Sequence, residues 1–380
     1  MAGAARSKDG RSTARRRLAD GSRSGAPFAA KGSRWVRDTD KRCRIDYNAR
    51  LGLEPGPKTM RKHLSTIIKI GITLLGLAIV LTRFDPRLIG RELSEASLGW
   101  LLAGFLLYNA GVVLRAYRWL ILVRSLHADV PFKRLVELYF VGGFFNVFLP
   151  SGFGGDVVRV LELAQDVPAG LAAGTVVLDR LTGLMMLFAL ALLALPFRPP
   201  DFPPDLLLTI VLICTAGLAG GFILLQGTVL RKVTNLLPAR LLHAGNDFLL
   251  RLTEAIEQCG WRAIGGALLI SVLFNLLQAA WWTTTARSLG LDISYFYMLL
   301  VVPVLALVML IPSIGGLGVR ELIAPLLFAP AGLRPEQAIA LSLLVFAVER
   351  LSGLLGAPIY IYTTIRDRDK RKAKQTGELS

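Results

Sequence analysis

Two adjacent charge pairs lie where charge is costly. Asp179 and Arg180 sit about ten residues into the apolar run Gly170–Phe197, and Glu349 and Arg350 about twelve residues into Ala338–Thr364. Near mid-bilayer each such charge costs roughly 2.5–3.5 kcal/mol. Adjacent helical residues point ~100° apart, so neither pair neutralises itself. The expected partners therefore come from elsewhere: Arg350 or Arg320 for Asp179, and Arg180 or Arg159 for Glu349. Such charges suit either an ion-pair network that pins two halves together or a polar path for an anion.

Two glycine-rich turns add a second kind of chemistry. Gly152, Gly154 and Gly155 precede Asp156, which can N-cap a short helix carrying Arg159 in its first turn. Gly315, Gly316 and Gly318 precede Val319, Arg320 and Glu321 in the same way. Glycines let backbone N–H groups crowd inward, and a helix N-terminus adds partial positive charge. With an arginine beside it, each turn is suited to a phosphate. Glycines serving only the turn and close helix packing would leave the same pattern. The expected substrate-binding set is thus Arg159, Arg180, Arg320 and Arg350, with Asp156, Asp179, Glu321, Glu349, Gly154, Gly155, Gly315 and Gly316.

Catalysis finds less support. His63, His127 and His243 all lie outside the apolar runs, and no Asp-x-x-Asp run falls within them. A membrane-embedded transferase would want one or the other, so no catalytic residue, metal or cofactor is expected. Cys43, Cys214 and Cys259 are spread over tail, membrane run and loop and form no disulfide framework.

The elements that must position these residues follow from composition. The 380 residues are 53% hydrophobic and carry 44 Lys+Arg against 27 Asp+Glu, a net +17. The apolar residues are bunched into runs with the charges between them, which excludes a soluble globular enzyme. Residues 1–62 hold 17 Lys+Arg and 6 Asp+Glu, a net +11, with no apolar periodicity. They read as a disordered basic cytoplasmic tail. A nucleic-acid or anionic-lipid arm is the sharper alternative, but a basic tail beside a membrane needs no specific partner. Met60 would also make a sensible start, and no cleavable leader is recognised.

Runs 64–84, 98–123, 170–197, 206–226, 264–285 and 338–364 are full spans. Runs 135–150 and 296–312 reach only about 24–26 Å and end at Pro-Ser-Gly and Pro-Ser-Ile-Gly-Gly. Lys and Arg in the flanking loops place both termini, including the basic tail 366–380, and loops 124–134 and 227–263 inside, and loop 198–205 outside. Residues 135–169 must then begin and end inside and 296–337 begin and end outside, so each is a re-entrant hairpin. Segment 238–262 fits an amphipathic helix at the cytoplasmic surface, with Leu241, Phe248, Leu249, Leu252 and Ile256 on one face and Arg251, Glu254 and Glu257 off it.

The two hairpins resemble each other. Pro150–Arg159 aligns with Pro312–Arg320 with one gap, and Leu178–Leu184 with Val348–Leu354. Asn109 and Trp119 face Asn275 and Trp282, and Arg124-Ser125-Leu126 faces Arg287-Ser288-Leu289. Three landmarks in the same order argue for duplication, with halves at 98–197 and 264–364 joined through span 206–226. The topology makes the halves inverted, an architecture of alternating-access carriers. The fold class is therefore an all-α polytopic membrane protein, with about six full spans plus two re-entrant hairpins in an inverted internal repeat.

Pro150–Arg159, Leu178–Leu184, Pro312–Glu321 and Val348–Leu354 together resemble the flippase-like, lysylphosphatidylglycerol synthase transmembrane family. The resemblance covers about residues 60–365, a transmembrane domain expected at 63–365. It implies a multi-pass protein of the bacterial inner membrane that moves or modifies lipids. Bifunctional members also carry a soluble aminoacyl-transfer domain, which is not expected here, with ~15 residues after the last span. The function expected is translocation or presentation of an anionic, phosphate-bearing lipid or lipid-linked intermediate between leaflets, with no nucleic-acid partner. A lipid or glycolipid transferase, a carrier of small soluble anions, and a scaffold for neighbouring lipid-modifying enzymes are the alternatives.

Overall fold

The computed structural model describes residues 58–149, 154–200, 202–226, 246–308, 311 and 313–376. The basic tail 1–57, the centre of the first glycine turn at 150–153, Pro312 and the expected start of the interfacial helix at 238–245 lie outside the described residues.

The described secondary structure is helical throughout. Helix α1 (Lys58–Arg83) turns by 95° into α2 (Pro86–Ser94). Pro86 forces Asp85 into extended backbone, and the Asp85 carboxylate then caps α2 by accepting from the Arg87 N–H at 2.8 Å. There follow α3 (Leu98–Ser125), α4 (Phe132–Phe148), α5 (Gly154–Leu163), α6 (Ala169–Ala194) and α7 (Pro204–Leu225). The chain then forms α8 (Asn246–Ser288), α9 (Tyr295–Val308), α10 (Val319–Phe328), α11 (Pro335–Leu354) and α12 (Gly356–Thr376).

Among the described residues, five segments are long and apolar enough to cross a bilayer, and a sixth if α1 and α2 count as one bent span. Their outer faces carry Leu102, Leu106, Leu208, Phe222, Leu269 and Leu273, all exposed. In water these would be aggregation surfaces; in a bilayer they face the solvent that suits them. The interior instead holds charge: Arg118, Arg159, Asp179, Arg320 and Glu321 are all buried.

Two helical hairpins stand apart from the spans. Helices α4 and α5 have 17 and 10 residues, and α9 and α10 have 14 and 10. At 1.5 Å per residue none reaches 30 Å. The first hairpin closes on glycine: a Cβ on Gly155 would overlap the Gly142 carbonyl, and the Gly155 N–H donates to Asn146 Oδ1 at 2.6 Å. The second closes where the buried Tyr297 hydroxyl donates to the Leu327 carbonyl. Each hairpin has its own core. Trp119, Leu135, Leu138, Leu163 and Val176 pack together around the first, and Trp281, Tyr297, Leu300, Phe328 and Leu341 around the second.

Helix α1 seats on the second glycine turn, where the Ile314 N–H donates to Thr73 Oγ1 at 2.9 Å. A Cβ on Gly76 would lie 2.8 Å from the Gly318 carbonyl carbon, so only glycine permits that approach. Helix α8 breaks at Gly260, whose φ of 71° no other residue adopts readily. Before the break, Thr253, Ala255, Ile256 and Cys259 are buried, whereas Glu254 and Glu257 are exposed. The two-faced pattern read from the sequence is present over these residues, its apolar face packed with Leu122, Leu178 and Leu225.

Candidate functional site

Helix α6 carries Asp179, 1% exposed, into contact with three other elements. Arg118 of α3 donates from Nε to Asp179 Oδ1 at 2.7 Å, and Arg159 of α5 donates from NH2 to Oδ2 at 3.1 Å. The Tyr139 hydroxyl of α4 also donates to Oδ2. Arg118 is further fixed by donating from NH1 to Ser271 Oγ of α8 at 3.1 Å. The Arg159 guanidinium lies 3.7 Å from the Tyr139 ring centroid and 4.2 Å from that of Trp119. A buried carboxylate with two arginines and a phenol is fully hydrogen-bonded, the condition under which buried charge persists.

A related pair is built between α10 and α11. Arg320 of α10 donates from NH1 to Glu349 Oε2 at 3.4 Å, and from Nε and NH2 to Ser342 Oγ and carbonyl at 3.1 and 3.0 Å. Glu321 is completely buried, accepting from Ser342 Oγ at 2.8 Å and from the Gly318 N–H at 2.7 Å.

These contacts correct the expected pairing. Asp179 meets Arg118 and Arg159 rather than Arg350 or Arg320, and Glu349 meets Arg320 rather than Arg180 or Arg159. In both places the arginine of the short helix reaches the acid of the following long helix, because the short helix packs alongside it. Asp156 is also corrected: α5 begins at Gly154, so Asp156 sits within the first turn instead of capping it. Its carboxylate accepts from Arg159 NH1 at 3.2 Å and pairs with Arg180, whose side chain is 41% exposed.

These groups border a cavity of about 380 Å³. Five arginines line it: Arg115, Arg118, Arg159, Arg180 and Arg350, against Asp156, Asp179 and Glu349. Gly155 and Gly315 of the expected set also line it; Gly154, Gly316, Arg320 and Glu321 do not. Gly154 instead gives room to the Leu149 side chain, and Gly316 takes a φ of 84° in the second turn.

The sequence reading missed Arg115 and Arg118. Both lie inside run 98–123, three residues apart on one helix face, and that spacing was the available signal. Arg115 is surrounded by rings, its guanidinium carbon 5.1, 5.6 and 5.9 Å from the centroids of Phe274, Tyr139 and Tyr108. Arg350 donates from NH1 to the Asn146 carbonyl of the first hairpin at 2.7 Å and stacks near Phe346 at 4.7 Å. Its guanidinium occupies the space where a Cβ on Gly315 would stand, so it touches both hairpins. Among the described residues no carboxylate lies within 4.0 Å of Arg115 or Arg350.

Contacts also join segments 98–197 and 264–364, the repeats expected from the sequence. Ser352 Oγ donates to Asn109 Oδ1 at 2.8 Å, and Asn275 Nδ2 donates to the Gly183 carbonyl at 3.1 Å. Each asparagine thus bonds a Thr/Ser-Gly step of the other segment, Asn109 at Ser352-Gly353 and Asn275 at Thr182-Gly183.

The lysylphosphatidylglycerol synthase TM region family matches residues 66–356. A UPF0104 membrane protein of Methanocaldococcus jannaschii is 24% identical over 338 residues, covering 82% of this chain and 98% of that protein. A UPF0104 membrane protein of Pyrococcus horikoshii is 25% identical over 139 residues, covering 36% of this chain and 40% of that protein. No solved structure matches the chain significantly. The family's span takes in every cavity-lining residue, and the chain is a multi-pass membrane protein belonging to the lysylphosphatidylglycerol synthase transmembrane family.

Proposed function

We propose that this protein translocates an anionic, phosphate-bearing lipid or lipid-linked intermediate between the leaflets of the cell (inner) membrane, with both termini cytoplasmic. The observation that carries the reading is the arginine-lined cavity among bilayer-length helices. An arginine fork holds a phosphate bidentately, and a low-dielectric wall strengthens that contact. The two hairpins act as re-entrant elements of an inverted repeat. Their short arms and the exchanged asparagine contacts support this. Glycine contacts such as Gly142 with Gly155 let backbones slide without interlocking side chains, which suits rocking of one half against the other.

The test is reconstitution of the full chain in liposomes, with fluorescent phospholipids scored for accessibility to a membrane-impermeant quencher. Wild type should move phosphate-bearing lipids between leaflets. Arg180→Ala should abolish this while leaving the amount of folded protein nearly unchanged. Uptake of soluble phosphate without lipid movement would replace the proposal with a small-anion carrier.

A further inference from the structure

Not all the arginines at this site are spoken for. In and beside the cavity stand Arg115, Arg118, Arg159, Arg180, Arg320 and Arg350, against Asp156, Asp179, Glu321 and Glu349. Arg118 and Arg159 share Asp179, Arg180 and Arg159 share Asp156, and Arg320 meets Glu349 and Glu321. Six arginines against four acids leave an excess of two positive charges. The two arginines with no carboxylate within 4.0 Å among the described residues are Arg115 and Arg350.

A second observation points the same way. Nε of Arg115 and Nε of Arg350 are both shielded from solvent without any hydrogen-bond acceptor. A buried donor left unpaired is costly, and a native protein that keeps one has a reason for it. Nε of Arg159 shares that state, but its two other nitrogens already hold Asp156 and Asp179. Arg115 comes from α3 of the first half and Arg350 from α11 of the second, and both line the cavity. Neither is free to swing: rings hem in Arg115, while the Asn146 carbonyl and the bare face of Gly315 hold Arg350.

We infer that Arg115 and Arg350 form a two-arginine seat, one arginine from each half, for a doubly charged phosphate group: a phosphomonoester or pyrophosphate headgroup rather than a singly charged phosphodiester. A phosphomonoester carries about −1.5 to −2 at neutral pH, which matches the excess. A phosphodiester carries −1 and leaves one arginine uncompensated. The inference rests on the lipid-carrier reading for its ligand's tail, but the seat itself needs only the phosphate.

Purified full-length protein in detergent, followed by thermal unfolding, provides the test. The probes are short-chain phosphatidic acid, phosphatidylglycerol, phosphatidylcholine and inorganic phosphate. Phosphatidic acid should bind wild type about tenfold more tightly than phosphatidylglycerol, the scale of one charge-assisted bond, and phosphatidylcholine should not stabilise it. Arg115→Gln and Arg350→Gln should each erase that preference. Gln278→Glu, which places an internal anion on the cavity wall while leaving both arginines in place, should weaken phosphatidic acid binding and so guards against misfolding of the arginine variants. Equal binding of phosphatidic acid and phosphatidylglycerol to wild type, or a preference that survives in all three variants, would overturn the seat. Inorganic phosphate binding as tightly as phosphatidic acid, with the same arginine dependence, would keep the seat and remove the lipid. Lipid movement in liposomes that persists unchanged in Arg115→Gln and Arg350→Gln would keep the lipid carrier and remove the seat.

Discussion

Asp179 is the residue on which α3, α4, α5 and α6 close. Removing its charge leaves Arg118, 3% exposed, buried without a counter-ion, and leaves the equally buried Arg159 with Asp156 alone. Breaking one side of such a network costs about 3–5 kcal/mol. Asp179→Asn should therefore lower the unfolding temperature sharply in detergent, and Arg118→Gln on top of it should recover part of the loss. Unchanged unfolding of Asp179→Asn would show that the network adds nothing to stability. Arg180 is 41% exposed, and Arg180→Ala should cost no more than about 1 kcal/mol. That charge in an apolar run demands a partner is legible in sequence; which partner is not, because helix rotation decides it. Arg115 and Arg118 escaped notice for a related reason. They lie toward the end of their run, where a long basic side chain can reach the interface and then needs no partner. The packing of Ser271 and Asp179 over α3 removes that route for Arg118.

At the scale of elements, the spans and both hairpins could be read from run length and from proline and glycine punctuation. The short helices that follow the two glycine clusters are 10 residues each. The seat of α1 on the second turn could not be read, since Thr73 and Ile314 are far apart in sequence and neither carries a motif. The hairpin contact at Gly155 gives a direct test of close approach. Gly155→Ala must push its Cβ into the Gly142 carbonyl and the Asn146 amide, displacing α5 from α4. Overpacking of this kind costs about 1–3 kcal/mol. Transport should fall with stability, and Gly99→Ala, at a site with open space around it, should change neither. Thermal unfolding and the liposome assay on the same preparations would separate the two; a silent Gly155→Ala would mean that the hairpin opens freely.

For the whole molecule, orientation is the quantity to measure. Asp166 follows the first hairpin, and Pro335 follows the second; both are exposed. Single cysteines there should label with impermeant reagents from opposite sides of the membrane. Labelling from one side alone would end the inverted-repeat proposal and with it the symmetry of the two-arginine seat. Under the carrier and seat proposed above, the uncompensated charge also makes transport sensitive to voltage. A ligand bearing −2 neutralises the pair, so the loaded step crosses the field without moving net charge. The empty site returns with +2, and each elementary charge crossing the full field is worth about 2.3 kcal/mol per 100 mV. A potential negative inside therefore draws the unloaded cavity toward the cytoplasm and favours loading there. Imposing a potassium diffusion potential across proteoliposomes should accelerate net export of the lipid under that polarity and slow it under the reverse, making the membrane potential itself a driving force that needs no second ion and no nucleotide.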